Sequence, residues 1–268
     1  MKSFCYLAAT VALGAAGTAL ATPDIDSARI NGRLFNDYPA SNFTSVNNYP
    51  ALVNLSDGNM LGPPAFANRH NWRLSDDGGA TNASFANGDH FTLFADVNIS
   101  VTGTGAGEGG LQLSPWWSPN IDGAFNIRTT DGEVAVFGGR LPFYSFTAQH
   151  GVNYVAGTTA RVGIEYHPQG LSMAAPALIR YSYDSATTGF LNSGWLAFDQ
   201  GNPAEDPPYG LWGMLNDAAV GGYLQIFGQQ TGSGSVSADF RNITFTPAPG
   251  ALGLLALGGL AAGRRRRA

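Results

Sequence analysis

Apolar side chains recur at every second position along this chain. Phe91, Leu93, Ala95, Val97, Ile99 and Val101 share one parity, and the same alternation marks 124–128 and 133–137. A strand puts such residues on one face, because successive side chains leave opposite sides of the pleat. The pattern predicts further strands over 29–36, 70–75, 110–113, 141–147, 160–166, 177–183, 194–198, 223–227 and 238–246. Turn formers separate them: Asp57-Gly58, the run Asp76, Asp77, Gly78 and Gly79, and the pairs Asn87-Gly88, Asp122-Gly123, Asp131-Gly132, Gly138-Gly139 and Gly221-Gly222. No window keeps a helical period, and residues 216–220 allow one turn at most. About a dozen strands without intervening helices predict an all-β chain, an antiparallel two-sheet sandwich or jelly roll. No repeat of fixed period points to a propeller or solenoid.

Composition supports one folded body with special ends. Of 268 residues 44% are hydrophobic and only 12% charged, so disorder is excluded, and frequent Gly, Pro, Asn and Asp exclude a multispan channel. The segment between Asp24 and Arg241 carries nine Arg, no Lys and all 19 acids, an excess of ten negative charges. Such a body offers no basic face to nucleic acid. The division that follows is a signal peptide over 1–21, a β-sandwich domain over 22–246 and a tail over 247–268. Cys5 falls in the first segment, so the body holds no disulfide or thiolate ligand.

At the N-terminus Lys2 precedes a small-residue apolar run that ends in Ala19-Leu20-Ala21, the small-x-small form that signal peptidase accepts, with cleavage expected after Ala21. At the C-terminus Pro247, Ala248, Pro249 and Gly250 precede an apolar, helix-capable run over 251–263, and Arg264, Arg265, Arg266 and Arg267 follow it. That order is a stop-transfer arrangement with the arginines held on the cytoplasmic side. Thirteen residues span only about 20 Å as a helix, short of the ~30 Å hydrocarbon layer, so a short hydrophobic helix and a transient membrane insertion are expected. This tail resembles the PEP-CTERM sorting signal of exopolysaccharide-producing Gram-negative bacteria, with Pro-Ala-Pro in place of Pro-Glu-Pro. The resemblance implies recognition by an exosortase, cutting near the Pro motif and release to the cell envelope, surface or matrix.

Within the body, residues 158–166, 177–183, 194–198, 222–227 and 238–245 resemble, in pattern and order, the late strands of the concanavalin A-like lectin/glucanase superfamily. The resemblance implies a concanavalin A-like jelly roll. Hydrolases of that superfamily carry two carboxylates on alternate residues of one strand as Glu-x-Asp-x-Glu, and the chain lacks this motif. Glu108, Glu133 and Glu165 stand in separate segments, where only tertiary folding brings two together. The sequence therefore predicts a non-catalytic surface or matrix protein that binds polysaccharide and is not an enzyme. The alternative is a glycoside hydrolase with a non-standard carboxylate arrangement.

Other chemistry finds little support in the residues. His70, His90, His150 and His167 are isolated, without metal-ligand spacing, and Gly232, Ser233, Gly234, Ser235 and Val236 form a Gly/Ser turn rather than a nucleophile elbow. No cofactor motif is present. Two oxygen-rich loops are candidates for Ca²⁺, 199–206 with Asp199, Asn202, Glu205 and Asp206, and 74–79, though neither has EF-hand spacing. Trp116, Trp117, Tyr209 and Trp212 lie in Pro-rich, loop-like segments where a flat ring can stack on a sugar, whereas Trp72 and Trp195 sit in strand patterns and are expected in the core.

Overall fold

The computed structural model describes residues 22–201, 212–214 and 216–247. Its elements are β1 (Ser27–Asn36), β2 (Thr44–Asn48), β3 (Leu52–Gly58), β4 (Ala67–Ser75), β5 (Phe91–Thr102), β6 (Gly107–Ser114), β7 (Ala124–Arg128), β8 (Val134–Phe137) and β9 (Tyr144–Ser145). There follow α1 (Phe146–His150), β10 (Thr159–His167), β11 (Leu178–Ser185), β12 (Gly189–Asn192), β13 (Leu196–Ala197), β14 (Ala219–Phe227), α2 (Gly228–Thr231) and β15 (Ser235–Pro247). All pairings are antiparallel. One sheet runs β1-β4-β14-β6-β7-β8-β9; the other runs β12-β11-β10-β5-β15-β3-β2, with β13 beside β11. The two-sheet antiparallel sandwich expected from the alternation is therefore the fold.

The core lies between the sheets and uses the predicted parity. Leu93, Ala95, Val97 and Ile99 of β5, with Val236, Ala238 and Phe240 of β15, face Trp72 and Leu74 of β4 and Leu224 and Ile226 of β14; all are fully buried. Trp72 meets Phe240 edge to face at 5.4 Å, a packing contact between the sheets. Burial at roughly 25 cal/mol per Å² of apolar surface is the main favourable term here.

The core also holds a polar knot that the alternation hides. His70 of β4 and Asp57 of β3 are fully buried, with Nε2 and Oδ2 3.0 Å apart. The backbone N–H of Arg33 donates to His70 Nδ1 at 2.8 Å, so Nε2 carries the ring proton and donates to Asp57. Ser41, Asn68 and the Gly58 N–H also donate to that carboxylate. Burial pushes the Asp57 pKa up, but these hydrogen bonds outweigh it and leave the group below the usual carboxylate range. Burial holds the His70 pKa down.

Several local expectations need correction. Gly221 and Gly222 form no turn; they lie inside β14, where a Cβ on Gly221 would stand 2.1 Å from the Trp72 carbonyl oxygen, so the pair marks close strand approach. The strand expected over 141–147 pairs only at β9, after which Ser145 caps α1 by accepting from the Ala148 N–H. Strand β2 escaped the pattern because all five of its residues are exposed and none repeats a core face. The strand expected over 194–198 shrinks to β13, which leaves Trp195 outside the sheet and 44% exposed. Its ring lies against the Arg180 guanidinium at 4.7 Å rather than in the core.

Candidate functional site

The outer face of the seven-stranded sheet concentrates polar groups that its own neighbours leave unsatisfied. Three cross-strand rows define it. One contains Arg73 of β4, Gly221 of β14 and Gln112 of β6; the next, Asn71, Tyr223 and Gly110; the third, Arg69, Gln225 and Glu108, followed by Arg128 of β7. Asn126 of β7 reaches the middle row, donating through Nδ2 to the Tyr223 hydroxyl at 3.0 Å. Strand parity gathers residues more than a hundred positions apart on one surface.

Two guanidinium groups occupy the centre. Arg69 and Arg73 are 3% and 1% exposed, and among the described residues neither forms an ion pair. Arg69 Nη1 donates to Gln225 Oε1 at 2.9 Å, and its guanidinium carbon stands 4.0 Å over the Tyr223 ring. Burial pushes the Arg69 pKa down. Burial, and next the neighbouring Arg69 charge, push that of Arg73 down to about 9. Burial raises the Tyr223 pKa, Glu108 adds to the rise, and the Arg69 charge opposes it, so the phenol keeps its proton.

Unpartnered buried atoms cluster here as well. Arg69 Nε, Arg73 Nη1, Gln112 Oε1 and Asn126 Oδ1 are buried without a hydrogen-bond partner. Buried polar atoms normally have partners, and an unmade bond costs about 1–3 kcal/mol.

The loop 115–123 closes over the same groups. Arg69 Nη2 donates to the Ile121 carbonyl at 2.8 Å, Arg73 Nη2 to Ser114 Oγ and the Pro119 carbonyl, and Gln112 Nε2 to the Asp122 carbonyl at 2.9 Å. Gly123 ends the loop at φ 76°, where a Cβ would stand 1.7 Å from the Leu113 oxygen. Two of the four aromatic residues singled out from the sequence ride on this loop: Trp116 is 44% exposed, and its ring meets that of Trp117 edge to face at 6.0 Å.

The remaining predicted residues divide. Glu108 and Glu133 do meet: their carboxylates lie 3.6 and 3.0 Å from one guanidinium, that of Arg128, which also pairs with Asp131 at 2.9 Å. Glu165 is on the other sheet, bound by Arg180 through two bonds of 2.8 and 2.7 Å. Trp212 lies apart, its carbonyl accepting from the Ala177 N–H at 2.8 Å. Asp199 pairs with Arg140 at 2.5 Å, and Asp77 accepts from Ser75 and Thr81, fastening its own turn. Among the described residues no group of three or more His, Cys, Asp or Glu is arranged to hold a metal, and no helix is long and apolar enough to cross a membrane. Pro247 ends β15, paired with Phe91. Ala19, Ala21, Asn202, Glu205, Asp206, Tyr209, Pro249, Gly250, Arg264, Arg265, Arg266 and Arg267 lie outside the described residues, as do the segment expected to be a signal peptide and the apolar C-terminal run.

Sequence reasoning missed Arg69, Arg73, Gln112, Asn126, Tyr223 and Gln225. A signal existed: Arg69, Asn71 and Arg73 share one parity, as do Tyr223 and Gln225. Starting the strand at His70 hid the first of these.

No protein-family model matches the chain, and no curated protein matches it in sequence. Solved structures of similar fold include an alginate lyase of polysaccharide lyase family 7, 14% identical, with 86% of this chain and 100% of that one aligned and a TM-score of 0.45. Another is the alginate lyase from Corynebacterium sp., 11% identical over 85% and 96% of the two chains, TM-score 0.48. Arcelin-5, a lectin-like defence protein from Phaseolus vulgaris, is 12% identical over 83% and 98%, TM-score 0.38. These comparisons correct two expectations, that the body is a non-catalytic lectin and that the chain is not an enzyme. Both leaned on the missing hydrolase motif, which bears on hydrolysis alone and not on other ways of cleaving a polysaccharide.

Proposed function

We propose that the chain is an exported polysaccharide-cleaving enzyme of the lyase type, with its site on the outer face of the seven-stranded sheet. The observation that carries the reading is the pair Arg69 and Arg73, two buried guanidinium groups with no carboxylate partner among the described residues. Burying a cation unpaired is costly, and a ligand carboxylate is the natural complement to two planar forks. A uronate sugar supplies one.

The chemistry follows from that clamp. Eliminating across C4–C5 of a uronate breaks the C5–H and C4–O bonds, forms a C4–C5 double bond and returns a proton to the departing oxygen. Charge builds on the carboxylate as the C5 proton leaves, and the free Nε of Arg69 and Nη1 of Arg73 would stabilise it, while the free Gln112 Oε1 and Asn126 Oδ1 are acceptors suited to sugar hydroxyls. Tyr223, held as the neutral phenol beside Asn126 and Arg69, suits the donor to the leaving oxygen, and the phenol oxygen takes the C5 proton in exchange, so the phenol is restored and the proton count closes. Hydrolysis is less well served. Glu108 and Glu133 share the Arg128 guanidinium instead of facing each other across an open gap.

For a polymer to reach Tyr223, the 115–123 loop must lift from Arg69, Arg73 and Gln112. Trp116 and Trp117 move with it and would stack on the sugar chain. The signal-peptide pattern, the sorting-tail pattern and the acidic, Lys-free body support export to the envelope or matrix, through signal peptidase and an exosortase. The decisive test is incubation of the purified body with a panel of uronate-containing polysaccharides, followed by the ultraviolet absorbance of the new C4–C5 double bond. Absorbance that appears with the body and disappears in the Tyr223→Phe variant supports the reading; reducing ends released without absorbance would assign a hydrolase instead.

A further inference from the structure

The proposed site is not uniform along its length. Arg73 and Arg69 concentrate positive charge toward the 115–123 loop. Across the sheet from Arg69, at the β6–β7 end of its row, three carboxylates, Glu108, Asp131 and Glu133, surround the Arg128 guanidinium, three acids to one arginine. Next to this cluster opens a depression of about 550 Å³, lined by Phe66, Phe227, Arg128, Gln229 and Gln230 among others. Phe66 is 61% exposed, yet it is braced by Phe35 at 6.0 Å and Phe227 at 6.3 Å. From Gly221, beside Arg73, to Phe227 the strand advances roughly 20 Å at about 3.4 Å per residue, so more than one sugar lies along the path.

Resting on the lyase reading above, we infer that this face selects a heteropolysaccharide in which a neutral sugar adjoins the uronate, with Phe66 and Phe227 stacking the neutral ring and the Glu108, Asp131 and Glu133 cluster rejecting a second carboxylate. An aromatic platform flanked by side-chain amides matches the apolar face and hydroxyl edge of a pyranose. A polymer of uronates alone would set its next carboxylate against the acidic cluster, a like-charge contact that lowers affinity. Arg128, the cation inside that cluster, is already shared by three acids, and Arg69, farther along the row, is held by Gln225 and the Ile121 carbonyl.

The test uses the purified body, wild type and variants, with two probes: alginate as a polymer of uronates only, and hyaluronan as a polymer of uronate alternating with a neutral hexosamine. Binding is read by affinity electrophoresis and cleavage by ultraviolet absorbance. The expected result is tighter retention of hyaluronan by the wild type, about tenfold. The double variant Glu108→Gln/Glu133→Gln should gain several-fold in alginate affinity with little change for hyaluronan, and Phe66→Ala should lose several-fold for hyaluronan with unchanged thermal stability. Equal or tighter retention of alginate by the wild type, with double-bond absorbance present, overturns the selectivity and leaves the lyase reading standing. Retention of neither polymer, without absorbance from either, overturns both.

Discussion

The two sheets share antiparallel pairing, yet their outer faces treat charge differently. On the eight-stranded sheet each arginine is matched by an acid across or along the strands: Arg161 with Asp96 at 2.8 Å, Arg180 with Glu165, and Arg241 with Asp239 at 2.8 Å. Asn54 and Asn242 add bonds to Asp239 and Asp96. That face is satisfied by its own sequence and asks nothing of a ligand. On the seven-stranded sheet Arg69 and Arg73 are more deeply buried, lack acids, and rely on loop carbonyls while Nε and Nη1 remain free. A fold under no other constraint does not keep such an arrangement, because stability and function diverge at sites like this.

The comparison breaks first at Arg73. Replacement by Met should lower uronate cleavage by roughly 10²–10³-fold, as expected when a preorganised donor to developing charge is removed. The melting temperature should hold or rise, since an unpaired buried cation is lost. Steady-state kinetics beside thermal denaturation checks both; a large fall in melting temperature would make Arg73 structural. Tyr223→Phe comes next, with an expected rate loss of about 10²-fold and a stability cost near 1 kcal/mol for the Asn126 hydrogen bond.

A third test concerns the interior, where charge is buried but fully partnered. Asp57→Ala should destabilise the body by about 3 kcal/mol in urea titration, because His70, Asn68 and Ser41 lose their common acceptor. Acid should act in the same direction. The unfolded state takes up a proton at the ordinary histidine value of 6.5, which folded His70, with its pKa held lower, refuses. Stability therefore declines as pH falls below 6.5, and declines further as Asp57, also lowered when folded, is protonated below the ordinary carboxylate value. Urea midpoints measured from pH 8 to pH 3 should show this slope, and His70→Asn should flatten its upper part; an unchanged slope in that variant would place the titration elsewhere.

The smallest effects belong to the self-satisfied face. Arg180→Ala should cost no more than about 0.5–1 kcal/mol, since the Glu165 pair is partly exposed and screened, and should leave cleavage unchanged. A loss of activity there would erase the contrast between the sheets. Trp116→Ala, on the covering loop, should weaken polysaccharide binding several-fold, as expected for about 1 kcal/mol of aromatic contact.

The sequence by itself determined the class of fold, because the parity of Phe91 through Val101 and of 124–128 is a local property: alternate side chains must face opposite ways, and only two apposed sheets bury so many apolar faces. It also carries two end patterns, read as a signal peptide and a sorting tail, and such patterns are linear. It did not determine the site. Arg69, Gln112, Asn126 and Tyr223 stand in four strands whose order, β4-β14-β6-β7, places the last long strand of its sheet in sequence between earlier ones. Nothing local specifies that order, so no spacing along the chain brings Tyr223 beneath the Arg69 guanidinium or carries the 115–123 loop over both. Glu108 and Glu133 show the same division. Their separation hid them as a pair, and strand pairing across Arg128 joined them. Side-chain parity is fixed residue by residue, whereas neighbours across a sheet are chosen by packing of the whole domain, and this protein's charge imbalance arises only there.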